Sequence, residues 1–211
     1  MNRRLFFDLD RTLFRTSDFD QQRWELLEQW YPTVISAAKE QPRQYEFFIH
    51  DDDLYAYDFT AHMTALGLDV GEVMQRLRQS ALADGRLEYD GVPELMQWAQ
   101  TVGRVAVLTY GPDGYQRLKA ALCPSLKGIE VVVVQRPKHE YFRQQLMPGG
   151  VWMVDDKPIG DELPEGVAFI QVAGYNELSV PAGAMWPVAT TVSEVAEIVG
   201  RHENIDYFSN M

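Results

Sequence analysis

Apolar residues gather along this chain in short runs separated by helix-spaced patterns. The first run, Leu5-Phe6-Phe7, is cut by Asp8 and Asp10. Further runs at Arg104–Thr109, Ile129–Val134, Val151–Val154 and Val167–Gln171 read as buried strands, the second of them dense in β-branched residues. Between them, apolar spacing near 3.6 predicts helices at about 92–101, 112–122 and 138–147, with a further one near 192–200. Strands alternating with helices predict a parallel sheet covered on both faces. The fold class expected is α/β, with a Rossmann-like doubly wound core that takes in the 5–7 run. Sites in such sheets sit at the C-terminal ends of the strands.

The stretch from 15 to 88 has a different rhythm. No convincing buried strand shows there. Ser17 is a candidate cap for a helix carrying Trp24, Leu27 and Trp30, and the spans Asp53–Leu66 and Asp69–Leu82 also read as helical. Pro32, Pro42 and Gly67 punctuate the pieces. The expected organisation is a core of 1–14 and 89–211, with an α-helical unit at 15–88 inserted after the first strand. An irregular excursion of the core is the alternative.

Composition narrows the class. The chain has 211 residues, 46% hydrophobic and 24% charged, which suits a globular protein with a sizeable core. No stretch nears the roughly 18 apolar residues of a membrane span. Asp8 and Asp10 cut the N-terminal apolar run too short for a secretory signal. Cys123 is the only cysteine, which leaves no disulfide framework. A cytoplasmic, soluble protein is expected. The net charge of -12 repels nucleic-acid backbones and anionic lipid, so neither is an expected partner. The segment 15–88 carries seven Lys and Arg against fourteen Asp and Glu, more than half of that net charge.

Candidate chemistry falls at four strand ends. Asp8 and Asp10, at i and i+2, point to one side if the strand continues. Carboxylates that close repel, so one tends to hold its proton, as an acid/base partner beside a carboxylate nucleophile needs to. An Asx turn and helix cap is the plainer alternative. Thr109-Tyr110-Gly111 ends the next strand with a hydroxyl and turn N–H groups suited to anionic oxygens. Arg136-Pro137-Lys138-His139-Glu140 places cations at a helix start, where an anion nearby would justify them. Asp155-Asp156, with Asp161 beyond, offers hard oxygen ligands of the kind magnesium takes.

In this order, the four stations resemble the motifs of the haloacid dehalogenase superfamily of aspartyl-phosphate phosphohydrolases. Asp8, Asp10 and Thr12 match DxDxT, Thr109 the second motif, and Asp155-Asp156 with Asp161 the fourth. Tyr89-Asp90-Gly91-Val92-Pro93-Glu94-Leu95 is similar to the segment that re-enters the core after a family cap, and the insert's position is similar to that of the helical type 1 cap. The third motif fits two registers. Arg136 stands where Lys-Pro-x-x-Glu-x-Phe has its lysine, whereas Lys138 suits members with lysine at the helix start. Lys138 is preferred because a compact ammonium can reach both phosphate and carboxylate, with Arg136 the alternative.

The resemblance implies a magnesium-dependent phosphatase acting on a small phosphorylated metabolite. Asp8 is then the nucleophile and Asp10 the acid and base. Thr109, Tyr110 N–H and Lys138 hold phosphate oxygens, with Arg136 a further candidate substrate contact. Asp8, the Asp10 carbonyl and Asp156 ligate the metal, with Asp155 and Asp161 as outer ligands or orienters. A phosphosugar mutase and a catalytically silent phosphate-binding module share these motifs. A haloalkanoate dehalogenase does not, since it lacks the second aspartate. In the insert, Arg15, Lys39 and Arg43 are candidate substrate contacts. A monomer and a homodimer are both compatible with the sequence.

Overall fold

In a computed structural model, which describes residues 3–39, 48–51, 54–145, 150–175 and 180–201, the first apolar run forms β1 (Arg4–Phe7). It lies between β4 (Arg104–Tyr110) and β6 (Val151–Asp155), parallel to both. With β5 (Glu130–Val134), β7 (Val167–Val172) and β8 (Val188–Ala189) the sheet has the order β5-β4-β1-β6-β7-β8, with every pairing parallel. The short strand β8 lies outside the predicted set. The predicted helices form α5 (Val92–Val102), α6 (Asp113–Ala121) and α7 (Lys138–Gln144). The last one divides into a 3-10 turn, Val192–Glu194, and helix over 195–201.

Period-two alternation sorts the strand side chains onto two faces. Leu5, Phe7, Val107, Trp152, Val154 and Ile170 join one hydrophobic cluster, together with Leu95 of α5 and Leu118 of α6. Phe6, Ala106, Leu108, Met153 and Phe169 join a second, with Phe142 of α7. Helices thus cover both faces, and this is what lets consecutive apolar residues such as Leu5-Phe6-Phe7 all be buried. The chain leaves β1 toward β4 on one side and later returns on the other side at β6. The strand order reverses at β1, so a crevice opens at its C-terminal end.

Between β1 and α5 lie α1 (Thr16–Trp30), α2 (Pro32–Lys39), β2 (Phe48–Asp51), β3 (Leu54–Tyr57), α3 (Phe59–Ala65) and α4 (Val70–Arg78). The absence of strands expected here is overturned. β2 and β3 pair antiparallel, Phe48 opposite Tyr57, where a helix over Asp53–Leu66 was predicted. Phe48-Ile49 and Tyr55-Ala56-Tyr57 supply the aromatic and β-branched residues that favour extended chain, and α3 starts only at Phe59. There Asp58 caps it, its carboxylate accepting from the Ala61 N–H at 2.9 Å. Ser17 is not a cap. It sits inside α1, whose N-cap is Arg15. Trp24, Trp30 and Trp98 pack against the core. Arg43, Asp52, Asp53 and His202 and the side chains of Lys39, His50 and Asp51 fall outside what is described. No helix among the described residues is long and apolar enough to cross a membrane.

Candidate active site

Asp8 follows β1 directly, and its N–H still donates to the Val154 carbonyl at 2.8 Å, which pins it to the sheet. Then the chain turns. The Leu9 carbonyl accepts from the N–H groups of Thr12, Leu13 and Phe14, and Arg11 adopts a left-handed conformation at φ 61°. It is therefore this turn, not strand alternation, that places Asp10. Thr12 is fully buried, and its hydroxyl donates to Asp8 Oδ2 at 3.4 Å.

Lys138 is the first residue of α7, immediately after the N-cap Pro137. Its ammonium bonds Asp8 Oδ1 and, at 2.6 Å, Asp155 Oδ2. Arg136 is not brought to the strand ends. It precedes the N-cap, its side chain is 73% exposed, and it lies 3.8 Å from Glu140. Asp155 ends β6 and Asp156 follows it, and both are buried. Asp155 Oδ1 also accepts the Lys157 N–H at 2.9 Å. Ligand atoms of Asp8, Asp155 and Asp156 all lie within 4.8 Å of one another. Asp161 is not part of this group. It sits exposed in the 3-10 turn Gly160–Glu162.

Electrostatics separate the two aspartates of the first station. Burial pushes the Asp8 carboxyl up to about 6; Lys138 opposes the rise, while Asp155 and Asp10 add to it. Burial raises Asp156 to about 8, helped by the charges of Asp8 and Asp155. Asp10 moves the other way. Burial alone would raise it, but the Lys119 ammonium and hydrogen bonds from Lys119, Thr16 and Gln116 hold it below the ordinary carboxylate range. Of the pair, the group that tends to keep its proton is thus Asp8, raised by burial, while an unforeseen lysine holds Asp10 ionised.

That lysine is the main feature sequence reasoning missed. Lys119 Nζ lies 2.7 Å and 3.0 Å from the two Asp10 oxygens. Gln116 Nε2 donates to Asp10 Oδ2 at 3.1 Å and to the Tyr110 carbonyl at 2.7 Å. The Thr16 hydroxyl donates to Asp10 Oδ1 at 2.7 Å. Gln116 and Lys119 stand three apart on α6, hence on one face. Their one sequence signal is that α6 begins right after the Thr109 station.

These groups face a cavity of about 710 Å³. Thr109 and Tyr110 line it from the end of β4, and Thr16, Asp20 and Tyr57 line it from the segment between β1 and α5. Arg15 points elsewhere, its guanidinium bonded to the Glu88 carbonyl and the Asp90 carboxylate.

Magnesium, the ion implied by the resemblance, can be tested against the donor set. Three buried carboxylates meet one ammonium, so the group carries surplus negative charge; burial, with the neighbouring carboxylates adding to it, pushes Asp156 and Asp8 toward protonation. Such a set fits a hard divalent cation.

No family model matches the sequence, and no curated protein matches it either. Solved structures do. A protein of Burkholderia xenovorans LB400 described as a haloacid dehalogenase-like hydrolase is 15% identical, with 95% of this chain and 97% of that one covered at a TM-score of 0.66. The HAD-hydrolase YfnB of Bacillus subtilis, bound to magnesium, is 16% identical over 94% and 98%, with a TM-score of 0.57. CbbY of Rhodobacter sphaeroides, in complex with phosphate, is 17% identical over 92% and 96%, also with a TM-score of 0.57. The fold of this chain is that of the haloacid dehalogenase-like hydrolases.

Proposed function

We propose that this protein is a phosphohydrolase of the haloacid dehalogenase superfamily, cleaving a small phosphomonoester with the help of magnesium. The observation that carries the reading is the buried group Asp8, Asp155 and Asp156, served by Lys138 and joined in one cavity by Asp10. Fold alone does not decide chemistry, so the argument rests on these residues. Support comes from two structures with the fold, one bound to magnesium and one to phosphate.

Asp8 attacks phosphorus and expels the leaving oxygen, forming an aspartyl phosphate that splits one hard step into two. Asp10, held ionised by Lys119 in the free protein, first takes up a proton from the bound monoester or from water and then hands it to that oxygen. In the second step Asp10 takes a proton from water, which attacks phosphorus and restores Asp8. Lys138, the Thr109 hydroxyl and the Tyr110 N–H hold the phosphoryl oxygens, where positioning and charge supply most of the catalysis. Asp155 orients Lys138. Asp8, the Asp10 carbonyl and Asp156 would hold the magnesium ion, which supplies charge neutralisation between carboxylate and phosphate.

Residues 15–88 act as a cap in this reading. Support comes from Asp20 and Tyr57, which line the same cavity as Asp8 and Asp10. Substrate choice falls to that wall, and Arg15 has no part in it. A cytoplasmic setting belongs to the reading as well, in keeping with the single, buried cysteine.

The test is hydrolysis of an aryl phosphate and a panel of phosphorylated metabolites, with magnesium and with chelator. Turnover that needs the metal is expected. Equal turnover in chelator, or none on any phosphate, would overturn the proposal.

A further inference from the structure

We infer that Lys119 is the positioning residue for Asp10, fixing the carboxylate that serves as acid and base; the inference rests on the function proposed above. The two aspartates of the first station have separate lysines. Lys138 bonds Asp8 and Asp155. Lys119 bonds both oxygens of Asp10 and is itself only 4% exposed.

A carboxylate has about four acceptor positions. In Asp10, Oδ1 takes Thr16 and Lys119, and Oδ2 takes Gln116 and Lys119. Gripping both oxygens fixes the plane of the carboxylate as well as its position, which one hydrogen bond cannot do. The same helix also sets Asp10 against the phosphate-holding turn, because Gln116 Nε2 bonds the Tyr110 carbonyl. Gly111, at φ 136°, makes room for that contact: a Cβ there would come within 2.7 Å of Gln116 Nε2. So α6 carries one rigid link from Thr109-Tyr110 to Asp10. Proton transfer needs donor and acceptor held to within hydrogen-bond reach, and a misplacement near 1 Å can cost about a hundredfold in rate.

A lysine that acts only through Asp10 should matter only while Asp10 can act. A lysine that merely props up the fold should matter in either background. Steady-state kinetics on an aryl phosphate with saturating magnesium separates the two, using the full chain as wild type, Lys119→Met, Lys119→Arg, Asp10→Asn and Lys119→Met/Asp10→Asn. Lys119→Met should lower kcat by about 100-fold and leave KM within about threefold, since Asp10 moves and the phosphate ligands do not. Lys119→Arg should recover most of that loss, because a guanidinium can also grip two carboxylate oxygens. In the Asp10→Asn background the Lys119→Met loss should vanish.

Gln116→Leu supplies the same comparison if Lys119→Met does not fold. Its smaller loss should likewise vanish when Asp10 is Asn. An unchanged kcat in a folded Lys119→Met, or losses that multiply in the double variant, would overturn the inference and leave the proposed function standing. A wild type that turns over no phosphate ester would overturn the function, and this inference with it.

Discussion

Asp8 and Asp10 are two residues apart, yet their surroundings are opposites. Around Asp8, three carboxylates lie beside one ammonium, Lys138, which bonds Asp8 and Asp155, and negative charge is left over. Around Asp10, one carboxylate meets one ammonium and two neutral donors, and the charges balance. Burial raises both, so it does not by itself explain why Asp8 ends at about 6 while Asp10 is lowered. The company of each group does. A surplus of carboxylate calls for a further cation, whereas a balanced pair needs none and holds its place. One short loop thereby presents a metal-seeking nucleophile next to a fixed proton carrier.

Removing each member of the Asp8 group should break this contrast most severely. Asp8→Asn should lower turnover by at least about 10⁴-fold, because an amide is a poor nucleophile and losing such a group alone costs that much. Lys138→Ala follows, with a fall of roughly 10³-fold, comparable to loss of a key charge-stabilising donor. Arg136→Ala should stay within about twofold, since its guanidinium faces solvent beside Glu140. Kinetics on the same phosphate ester checks all three. An inactive Arg136→Ala with an active Lys138→Ala would hand the third-motif role to arginine.

A smaller effect sharpens the charge argument through stability. Asp8 and Asp156 are raised to about 6 and about 8, above their unfolded values. The folded state then binds more protons than the unfolded state, so the contribution of these groups to stability is lost as pH rises through those values. Melting in chelator should therefore show Tm falling from about pH 4, where the unfolded carboxyls ionise, to about pH 8, most steeply below about pH 6 where both groups contribute. Magnesium should raise Tm and flatten the slope, because it takes the place of the protons. A slope that is the same with and without magnesium would mean that the three carboxylates hold no ion.

The smallest expected effect concerns a third buried cation, in the insert. Arg23 is 2% exposed, pairs with Asp20 at 3.1 Å, bonds the Tyr115 hydroxyl and lies against the rings of Phe19, Trp24, Tyr57 and Phe59. Its Nε makes no hydrogen bond. Arg23→Ala should destabilise by about 3 kcal/mol, whereas Arg23→Met, which fills the ring cage without a charge to bury, should cost about 1 kcal/mol or less. Denaturant unfolding measures both. Equal losses would show that charge, not packing, is what Arg23 contributes.

The core could be read from the sequence because its signals are local. Leu5-Phe6-Phe7 and Val151–Val154 are buried on both faces, and such strands announce themselves as unbroken apolar runs. Polar residues that interrupt those runs, such as Asp8 and Asp155, then mark the strand ends. The insert gave no comparable cue. Each of β2 and β3 is only four residues long, and Leu54-Tyr55-Ala56-Tyr57 also fits a helical pattern when taken with Phe59 and Met63. Lys119 was hidden for another reason. On α6, Asp113, Gln116, Arg117 and Lys119 read together as a solvated polar face. Arg117 indeed pairs with Asp113 at 2.9 Å on the surface, while Gln116 and Lys119 turn inward to Asp10. Only the way the helix packs beside the sheet distinguishes them.

The central claim is that Asp8 is the nucleophile and Asp10 the proton carrier. Trapping with radiolabelled phosphate ester tests it most directly. In Asp10→Asn, a good leaving group departs without a proton while water lacks its base, so labelled protein should accumulate. In Asp8→Asn no label should appear. Label that still forms in Asp8→Asn would take the nucleophile role from Asp8 and contradict the account.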